Sequence, residues 1–257
     1  MINLKKIKYP VSNFPIVVID DFIKKNICKI IGRSILRQKK FDDQVMGGRN
    51  RINKGSGNFK NFLMSSNYAS SLFKILNQKK LYKQIDNIFK KQFGVFPWQF
   101  IIKDFEFSKT NYGLQKGKGL TKQSKQNKKK NCINLDMDFS ASENGYFREP
   151  HRDRDTRIIN FLIYLNSVPK KNGGCLEIFS TKKNWGNKIK NFPRFPRKSE
   201  VKIKKKFQPK IGQTIFFLSS PNSYHGVSKF VSKNSKRIFI YGSYSLNKPV
   251  KWKFIKK

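Results

Sequence analysis

The C-terminal part of the chain repeats one pattern: short runs rich in β-branched and aromatic residues, separated by glycine, proline, asparagine and serine. Such runs are typical of strands, and their close spacing is typical of β-sandwiches and barrels. Two helical patterns precede them. We therefore predict a mainly β fold of the α+β type, with N-terminal helices packed on one side. The predicted strands cover residues 98–107, 132–139, 145–151, 157–166, 174–180, 201–207, 213–218, 223–230 and 237–245.

The N-terminal part shows a strand followed by helices. Residues 14–19 form an apolar run, and the two aspartates that follow are suited to a helix N-terminus. Apolar residues then recur at helical spacing over residues 22–35 and 70–93, and Gly94 ends the second pattern. We expect these helices to be scaffold. The expected organisation is a supporting unit over residues 1–95 and a β core over residues 96–257.

Length and composition exclude several protein classes. The 257 residues, 37% of them hydrophobic and 24 of them Phe, are enough for a sizeable core. No apolar run approaches the roughly 18 residues of a membrane span, and the first ten residues lack the apolar stretch of a secretion signal. Three cysteines without CxxC spacing exclude a disulfide scaffold and a zinc ribbon. We expect a cytoplasmic protein.

The chain is strongly basic, with 56 Lys and Arg against 15 Asp and Glu and a formal net charge of +41. Such an excess normally indicates nucleic acid or an anionic surface as a partner. Only 11 of the basic residues are arginines, and Lys, Asn, Ile and Phe are the residues that an AT-rich genome favours. Arginine is the better residue for phosphates and base edges. We therefore favour a surface set by composition, and nucleic acid stays open as a partner that is not favoured.

Two basic segments interrupt the strands, residues 113–131 and residues 181–206. The first carries lysines among Gly, Gln and Ser and is typical of a loop. The second combines lysines with Trp185, Phe192 and Phe195. Long loops with aromatic residues often form lids or binding loops. We predict that Trp185 and Phe192 contribute to a substrate lid, and that Arg152, within the HRD sequence at 151–153, is a further substrate residue.

The chain has two histidines, His151 and His225. In an extended segment, residues i and i+2 share a face, so His151 and Asp153 can present an imidazole and a carboxylate together. A second imidazole from a distant strand would complete a set of two histidines and one carboxylate, which leaves open positions on non-haem Fe(II). The alternative is two unrelated histidines, and an HxD sequence alone does not exclude it.

Five ordered motifs resemble the Fe(II)/2-oxoglutarate-dependent dioxygenases, particularly the prolyl-4-hydroxylase-like branch. The resemblance covers residues 145–245, with weaker support back to Phe14. The motifs are HRD at 151–153 with the strand RIINFLIYLN at 157–166, GGCLEIF at 173–179, PKIGQTIFF at 209–217, HGV at 225–227 followed by Arg237, and the opening FPIVVIDDF at 14–22.

The resemblance implies a double-stranded β-helix, or jelly roll, as the catalytic core. It implies that His151, Asp153 and His225 hold Fe(II), that Arg237 binds the distal carboxylate of 2-oxoglutarate, and that the Tyr164 hydroxyl assists. A guanidinium suits the second role because it forms two parallel hydrogen bonds to a carboxylate.

Several assignments stay open in the sequence. Lys236 is the alternative to Arg237, although strand alternation puts Arg237 on the face of Phe239 and Tyr241. Leu176 and Val227 are expected to wall the cosubstrate pocket.

The predicted function is that of an Fe(II)/2-oxoglutarate-dependent dioxygenase that hydroxylates a protein or a small molecule and releases succinate and CO2. Dioxygen is the other cosubstrate, and ascorbate stays open as a further cofactor. Two alternatives remain: a cupin-like metal- or ligand-binding module without turnover, and a basic nucleic-acid-binding protein.

Overall fold

A computed structural model gives the structure of the protein and describes residues 1–12, 14–92, 94, 96–100, 102, 105–108, 131–186 and 188–256. Most of the predicted loop 113–131 lies outside these residues. Within the described part, no helix is both long and apolar enough to cross a membrane.

Two sheets form the centre of the fold, and their described strands pair antiparallel except for one parallel pair. The larger sheet contains β1 (Ile7–Lys8), β2 (Ile16–Ile19), β3 (Asp43–Val45), β4 (Arg49–Asn53), β6 (Phe105–Ser108), β7 (Asn131–Ser142), β9 (Arg157–Tyr164), β12 (Thr214–Leu218) and β14 (Arg237–Leu246). The smaller contains β8 (Arg148–His151), β10 (Leu176–Thr181), β11 (Val201–Phe207) and β13 (His225–Val227), and a separate pair contains β5 (Trp98–Phe100) and β15 (Trp252–Phe254). The larger sheet has the order β1-β2-β12-β9-β14-β7-β4-β3, with β6 added beside β7, and the smaller has the order β11-β10-β13-β8. The predicted mainly β jelly roll is confirmed.

Four helices precede most of the described strands: α1 (Lys25–Leu36), α2 (Gly57–Ser65), α3 (Asn67–Leu76) and α4 (Lys79–Lys90). The single helical pattern predicted over residues 70–93 is two helices, α3 and α4, because the chain turns at Asn77 and Gln78. The glycine- and asparagine-rich stretch between the predicted helices holds the strand pair β3 and β4, which the apolar pattern does not reveal because these strands carry arginine, asparagine and aspartate.

The larger sheet has a different apolar cluster on each face. One face packs against the helices, as in the contact of Phe139 on β7 with Phe62 on α2, whose ring centroids lie 4.7 Å apart. The other face shares a second cluster with the smaller sheet, which includes Leu162, Leu176 and Phe239. Strand β14 shows the alternation that this requires, because Ile238 and Ile240 belong to the first cluster and Phe239 to the second.

The strands from the first 95 residues are continuous with the β core. β2 pairs with β12, and β4 pairs with β7 over residues 49–53. The N-terminal unit therefore extends the larger sheet as well as covering one face of it.

Replacing Phe139 by alanine is expected to lower the free energy of unfolding by about 3–5 kcal/mol, because the ring is fully buried between the sheet and α2. Urea denaturation measures this change. Met64→Ala, on the exposed side of the same helix, is the control and is expected to change stability little. A loss below about 1 kcal/mol for Phe139→Ala would contradict the packing of the helices on the sheet.

Candidate metal centre and cavity

The pairing of two strands brings the two histidines together. β8 and β13 are antiparallel, and their register sets His225 directly opposite His151. Directly paired residues project to the same side of a sheet. The two imidazole centroids lie 4.4 Å apart although the residues are far apart in sequence.

Asp153 completes a compact group. The candidate ligand atoms of His151, Asp153 and His225 all lie within 4.8 Å of one another, and all three residues are buried. His225 Nε2 lies 3.4 Å from Asp153 Oδ2. Two imidazoles and one carboxylate on one side are a donor set that non-haem Fe(II) uses, with further positions left open.

Backbone carbonyls fix both imidazoles in the same orientation. His151 Nδ1 lies 2.9 Å from the carbonyl oxygen of Glu149, and His225 Nδ1 lies 3.1 Å from that of Ser223. A carbonyl only accepts, so each Nδ1 carries the proton and each Nε2 keeps its lone pair. Burial, together with the neighbouring His225, lowers the pKa of His151 to about 3, and burial also lowers the pKa of His225. Both rings are therefore neutral near pH 7, as metal binding requires.

Two further side chains hold the Asp153 carboxylate. An Arg157 nitrogen donates to Oδ1 at 3.0 Å, and the Tyr241 hydroxyl donates to Oδ2 at 2.9 Å. Arg157 also donates to the Tyr241 oxygen. Burial by itself would raise the pKa of Asp153, but the opposing effects, of which the Arg157 charge is the largest, hold this pKa below its usual range. The carboxylate is thus ionised and oriented.

Tyr241→Phe is expected to weaken Fe(II) binding by about tenfold while leaving the fold intact, because it removes one of the two hydrogen bonds that orient Asp153. Anaerobic calorimetric titration with Fe(II) measures this. Tyr244→Phe is a matched control on the same strand, since Tyr244 donates instead to the Leu76 carbonyl toward the helices. Equal Fe(II) affinities for both variants and the parent would contradict the positioning role.

Arg237 lines a cavity that also contains His151, Asp153 and His225, and its N–H donors are unused among the described residues. Its side chain is fully buried, and Nε, Nη1 and Nη2 have no hydrogen-bond partner among the described residues. The Tyr164 hydroxyl is also buried and has no hydrogen-bond partner among the residues that the structure describes. The guanidinium stacks on the Phe239 ring at 4.1 Å and lies 5.3 Å from the Tyr164 ring. Buried polar groups are normally satisfied, so this arrangement fits an absent acceptor such as a carboxylate.

A glycine explains how the Arg237 side chain reaches this place. Gly174 has a φ of +68°, and a Cβ there would lie 3.0 Å from Arg237 Cδ and 3.2 Å from a Phe230 ring carbon. A side chain at this position would therefore crowd the arginine and strain the backbone. This accounts for the second glycine of the Gly173-Gly174 motif.

Lys236 points away from the cavity. Its side chain is partly exposed, and its Nζ pairs with Glu143 at 2.8 Å. Leu176 and Val227 are register partners of β10 and β13, and both line the cavity.

The cavity has a volume of about 480 Å³ and extends beyond the histidines to the N-terminal strands. Arg49 and Arg51 on β4 line it, and Arg49 forms an ion pair with Asp138 at 2.6 Å. Sequence reasoning missed this region because the Gly/Asn-rich stretch carries no apolar pattern. The available signal was the alternation of Arg49 and Arg51 on one face of a strand.

Two of the aromatic residues in the predicted lid segment are buried. Trp185 and Phe192 are buried, with ring centroids 5.5 Å apart, and Trp185 also packs on Tyr224. Arg152 forms an ion pair with Asp155 and donates to the Phe192 carbonyl. Phe195 is the exposed ring of this segment, with 57% of its surface accessible, and it stacks near His151 at 6.3 Å between ring centroids.

The fold resembles solved oxygenase structures. Prolyl 4-hydroxylase of Phytophthora capsici is 13% identical, with 91% of this chain and 60% of that chain covered and a TM-score of 0.52. The epimerase SnoN, solved with Fe3+, alpha ketoglutarate and nogalamycin RO, is 9% identical, with 91% and 79% covered and a TM-score of 0.50. A Pseudomonas putida prolyl-4-hydroxylase is 14% identical, with 90% and 92% covered and a TM-score of 0.45. At these identities the first two likenesses, with TM-scores of 0.52 and 0.50, show the fold alone.

A comparison with curated protein sequences gave no match. The family model of the 2OG-Fe(II) oxygenase superfamily matches residues 137–244, the segment that contains both histidines, Asp153 and Arg237. This match confirms the family resemblance that the sequence motifs indicate. Residues 137–244 therefore match the 2OG-Fe(II) oxygenase superfamily, and this match supports a 2-oxoglutarate-dependent dioxygenase.

Proposed function

We propose that the protein hydroxylates a protein or small-molecule substrate, with His151, Asp153 and His225 as the Fe(II) ligands and Arg237 with Tyr164 as the 2-oxoglutarate anchor. The observation that carries this proposal is the unpartnered, fully buried guanidinium of Arg237 in the cavity that also contains the histidine–aspartate group. The guanidinium fits an acidic cosubstrate, and the histidine–aspartate group fits a divalent metal.

The ligand residues fit Fe(II) by their chemistry. Two neutral imidazoles with free Nε2 atoms and one ionised carboxylate supply three donors. Fe(II) held by these residues would supply the activation of dioxygen, with 2-oxoglutarate as cosubstrate converted to succinate and CO2 and with a hydroxylated product. The resemblance to the dioxygenase family implies hydroxylation, because halogenating members of that family lack a carboxylate at the position of Asp153.

The anchor residues bind and orient the cosubstrate. Arg237 offers several N–H donors, and a carboxylate accepts two of them in parallel while Tyr164 donates to the same group. The charge of Arg237 is held in a cavity walled by Leu162, Leu176 and Val227. These apolar side chains reduce competition from water and strengthen the charge-assisted bonds.

The alternatives from the sequence receive less support. A cupin-like module without turnover needs no buried, unpartnered guanidinium beside its metal site. Residues 1–95 are proposed to support the core over residues 96–257, since helices α1 to α4 pack on the sheet face opposite the cavity.

Turnover is tested by succinate formation from 2-oxoglutarate with Fe(II) and dioxygen, against panels of peptides, small acidic metabolites and single-stranded oligonucleotides. Hydroxylated product in step with succinate supports the proposal, and omitting ascorbate shows whether it is needed. Asp153→Ala, with Asp155→Ala as the matched acidic control, is expected to stop turnover. Product formation that survives Asp153→Ala would contradict the proposed site.

A further inference from the structure

The cavity is lined by arginine in a chain that otherwise uses lysine. Of the 56 basic residues, 11 are arginines, and seven of these line the cavity, whereas Lys54 is the one lysine among its described lining residues. A surface set by codon composition would carry mostly lysine here. The arginines of the cavity are Arg49, Arg51, Arg148, Arg154, Arg157, Arg194 and Arg237.

Four of the seven have a role within the chain or toward the cosubstrate. Arg49 pairs with Asp138, Arg51 with Asp43, and Arg157 with Asp153. Arg237 is the proposed 2-oxoglutarate anchor. The remaining three lie around the histidine–aspartate group, and we call Arg148, Arg154 and Arg194 the mouth arginines.

The mouth arginines have no ion pair with any described carboxylate, in contrast to the arginines deeper in the cavity. Arg194 shows the resulting repulsion, since burial and then the charge of Arg154 lower its pKa although the Asp153 carboxylate acts to raise it. Three like charges at one cavity entrance are unfavourable until an anion binds between them.

An exposed aromatic ring lies among these charges. Phe195 is stacked at 23° to the His151 ring, and the guanidinium carbons of Arg148 and Arg194 lie 5.7 Å and 5.1 Å from its centroid. Both guanidiniums lie over the Phe195 ring, so two positive charges and an exposed aromatic side chain together form a surface beside the candidate metal centre. Such a surface suits a planar ring of a ligand, while the guanidiniums suit oxyanions.

We propose that the mouth arginines and Phe195 bind a small-molecule substrate that carries a phosphate monoester next to a planar ring. This rests on the proposed function, because it describes the substrate of the same site. A dianionic phosphate offsets two of the three charges, whereas a single carboxylate offsets one, and guanidiniums form paired hydrogen bonds to phosphate oxygens. The cavity volume of about 480 Å³ is in the range of small-molecule sites, which favours a small molecule over a polymer.

The test is an anaerobic calorimetric titration of phenyl phosphate into protein loaded with Fe(II) and 2-oxoglutarate at physiological salt. Binding is expected for phenyl phosphate and is expected to be weaker for inorganic phosphate and for benzoate. Arg148→Gln and Arg194→Gln should each weaken the binding of phenyl phosphate by at least about tenfold, because each removes a charge-assisted contact. Arg33→Gln, an exposed arginine on α1 and the matched control, should leave binding unchanged.

Fe(II) and 2-oxoglutarate affinities are measured on the same samples, and the phenyl phosphate titration is repeated without either. If phosphate binding depends on the mouth arginines although Fe(II) or 2-oxoglutarate does not bind, the phosphate site stands and the proposed function fails. The phosphate site would be overturned if phenyl phosphate did not bind, or if it bound no more strongly than benzoate. It would also be overturned if Arg33→Gln lost this binding to the same extent as the mouth-arginine variants. Preference for a single-stranded oligonucleotide would also overturn it, in favour of a nucleic-acid substrate.

Discussion

Replacing His151 or His225 by alanine is expected to abolish stoichiometric Fe(II) binding while the secondary structure stays intact. Each substitution removes one of three donors, and the chain has no other histidine to replace it. Each imidazole donates its Nδ1–H to a backbone carbonyl, and each ring has apolar or aromatic neighbours, so some stability is lost as well. Metal analysis after anaerobic loading gives the stoichiometry, and circular dichroism checks the fold.

Aspartate variants provide the matched comparison. Asp153→Ala is expected to behave like the histidine variants, whereas Asp155→Ala, two residues away and paired with Arg152, should bind one equivalent of Fe(II). Retention of full stoichiometry in both histidine variants, with the fold preserved, would place the metal elsewhere in the protein.

Arg237→Ala is expected to weaken 2-oxoglutarate binding far more than Fe(II) binding. The substitution removes a buried charge-assisted contact of about 2–5 kcal/mol, which corresponds to about 30-fold to several thousand-fold in Kd. Lys236→Ala is the matched control on the preceding residue. It should change 2-oxoglutarate binding little, because Lys236 is partly exposed and paired with Glu143. Anaerobic titrations of both ligands into each variant measure the two affinities.

The reverse outcome has a specific meaning. If Lys236→Ala loses 2-oxoglutarate and Arg237→Ala keeps it, the face that β14 presents to the cavity is wrong. In the register described above, Arg237 pairs with Ser142 on β7 and Phe239 with Tyr164 on β9. A shift of one residue would turn Lys236 inward and Arg237 outward.

The sequence predicts the β core well because its strands carry strong apolar patterns. The strands from β7 to β14 fall at the predicted segments, with ends that differ by a few residues. The polar strands β3 and β4 are missed, since β3 pairs with β4, and the pairing of β4 with β7 depends on long-range contacts such as that of Arg49 with Asp138. A pattern of apolar residues cannot reveal a strand that is held by charged side chains.

The candidate site divides in the same way. The motifs predict the residues that metal and cosubstrate binding would require, namely His151, Asp153, His225 and Arg237. They do not predict that Tyr241 and Arg157 hold the Asp153 carboxylate, because that contact depends on how β14 and β9 pair.

The aromatic segment shows a limit of composition. The sequence alone does not distinguish the three aromatic residues of the basic loop, Trp185, Phe192 and Phe195, and all three are candidates for a lid. The structure buries the first two against Trp98 and Tyr224 and leaves Phe195 exposed beside His151. Which aromatic residue faces the cavity is decided by tertiary packing.

The most direct test of the account is an anaerobic titration of 2-oxoglutarate into the Fe(II)-loaded protein, followed by visible absorption. We predict a charge-transfer band that saturates at one equivalent, that is absent in Asp153→Ala, and that needs a much higher 2-oxoglutarate concentration in Arg237→Ala. Stoichiometric Fe(II) binding without any such band, or a band unchanged in both variants, would contradict the proposal that these residues form the iron and 2-oxoglutarate site.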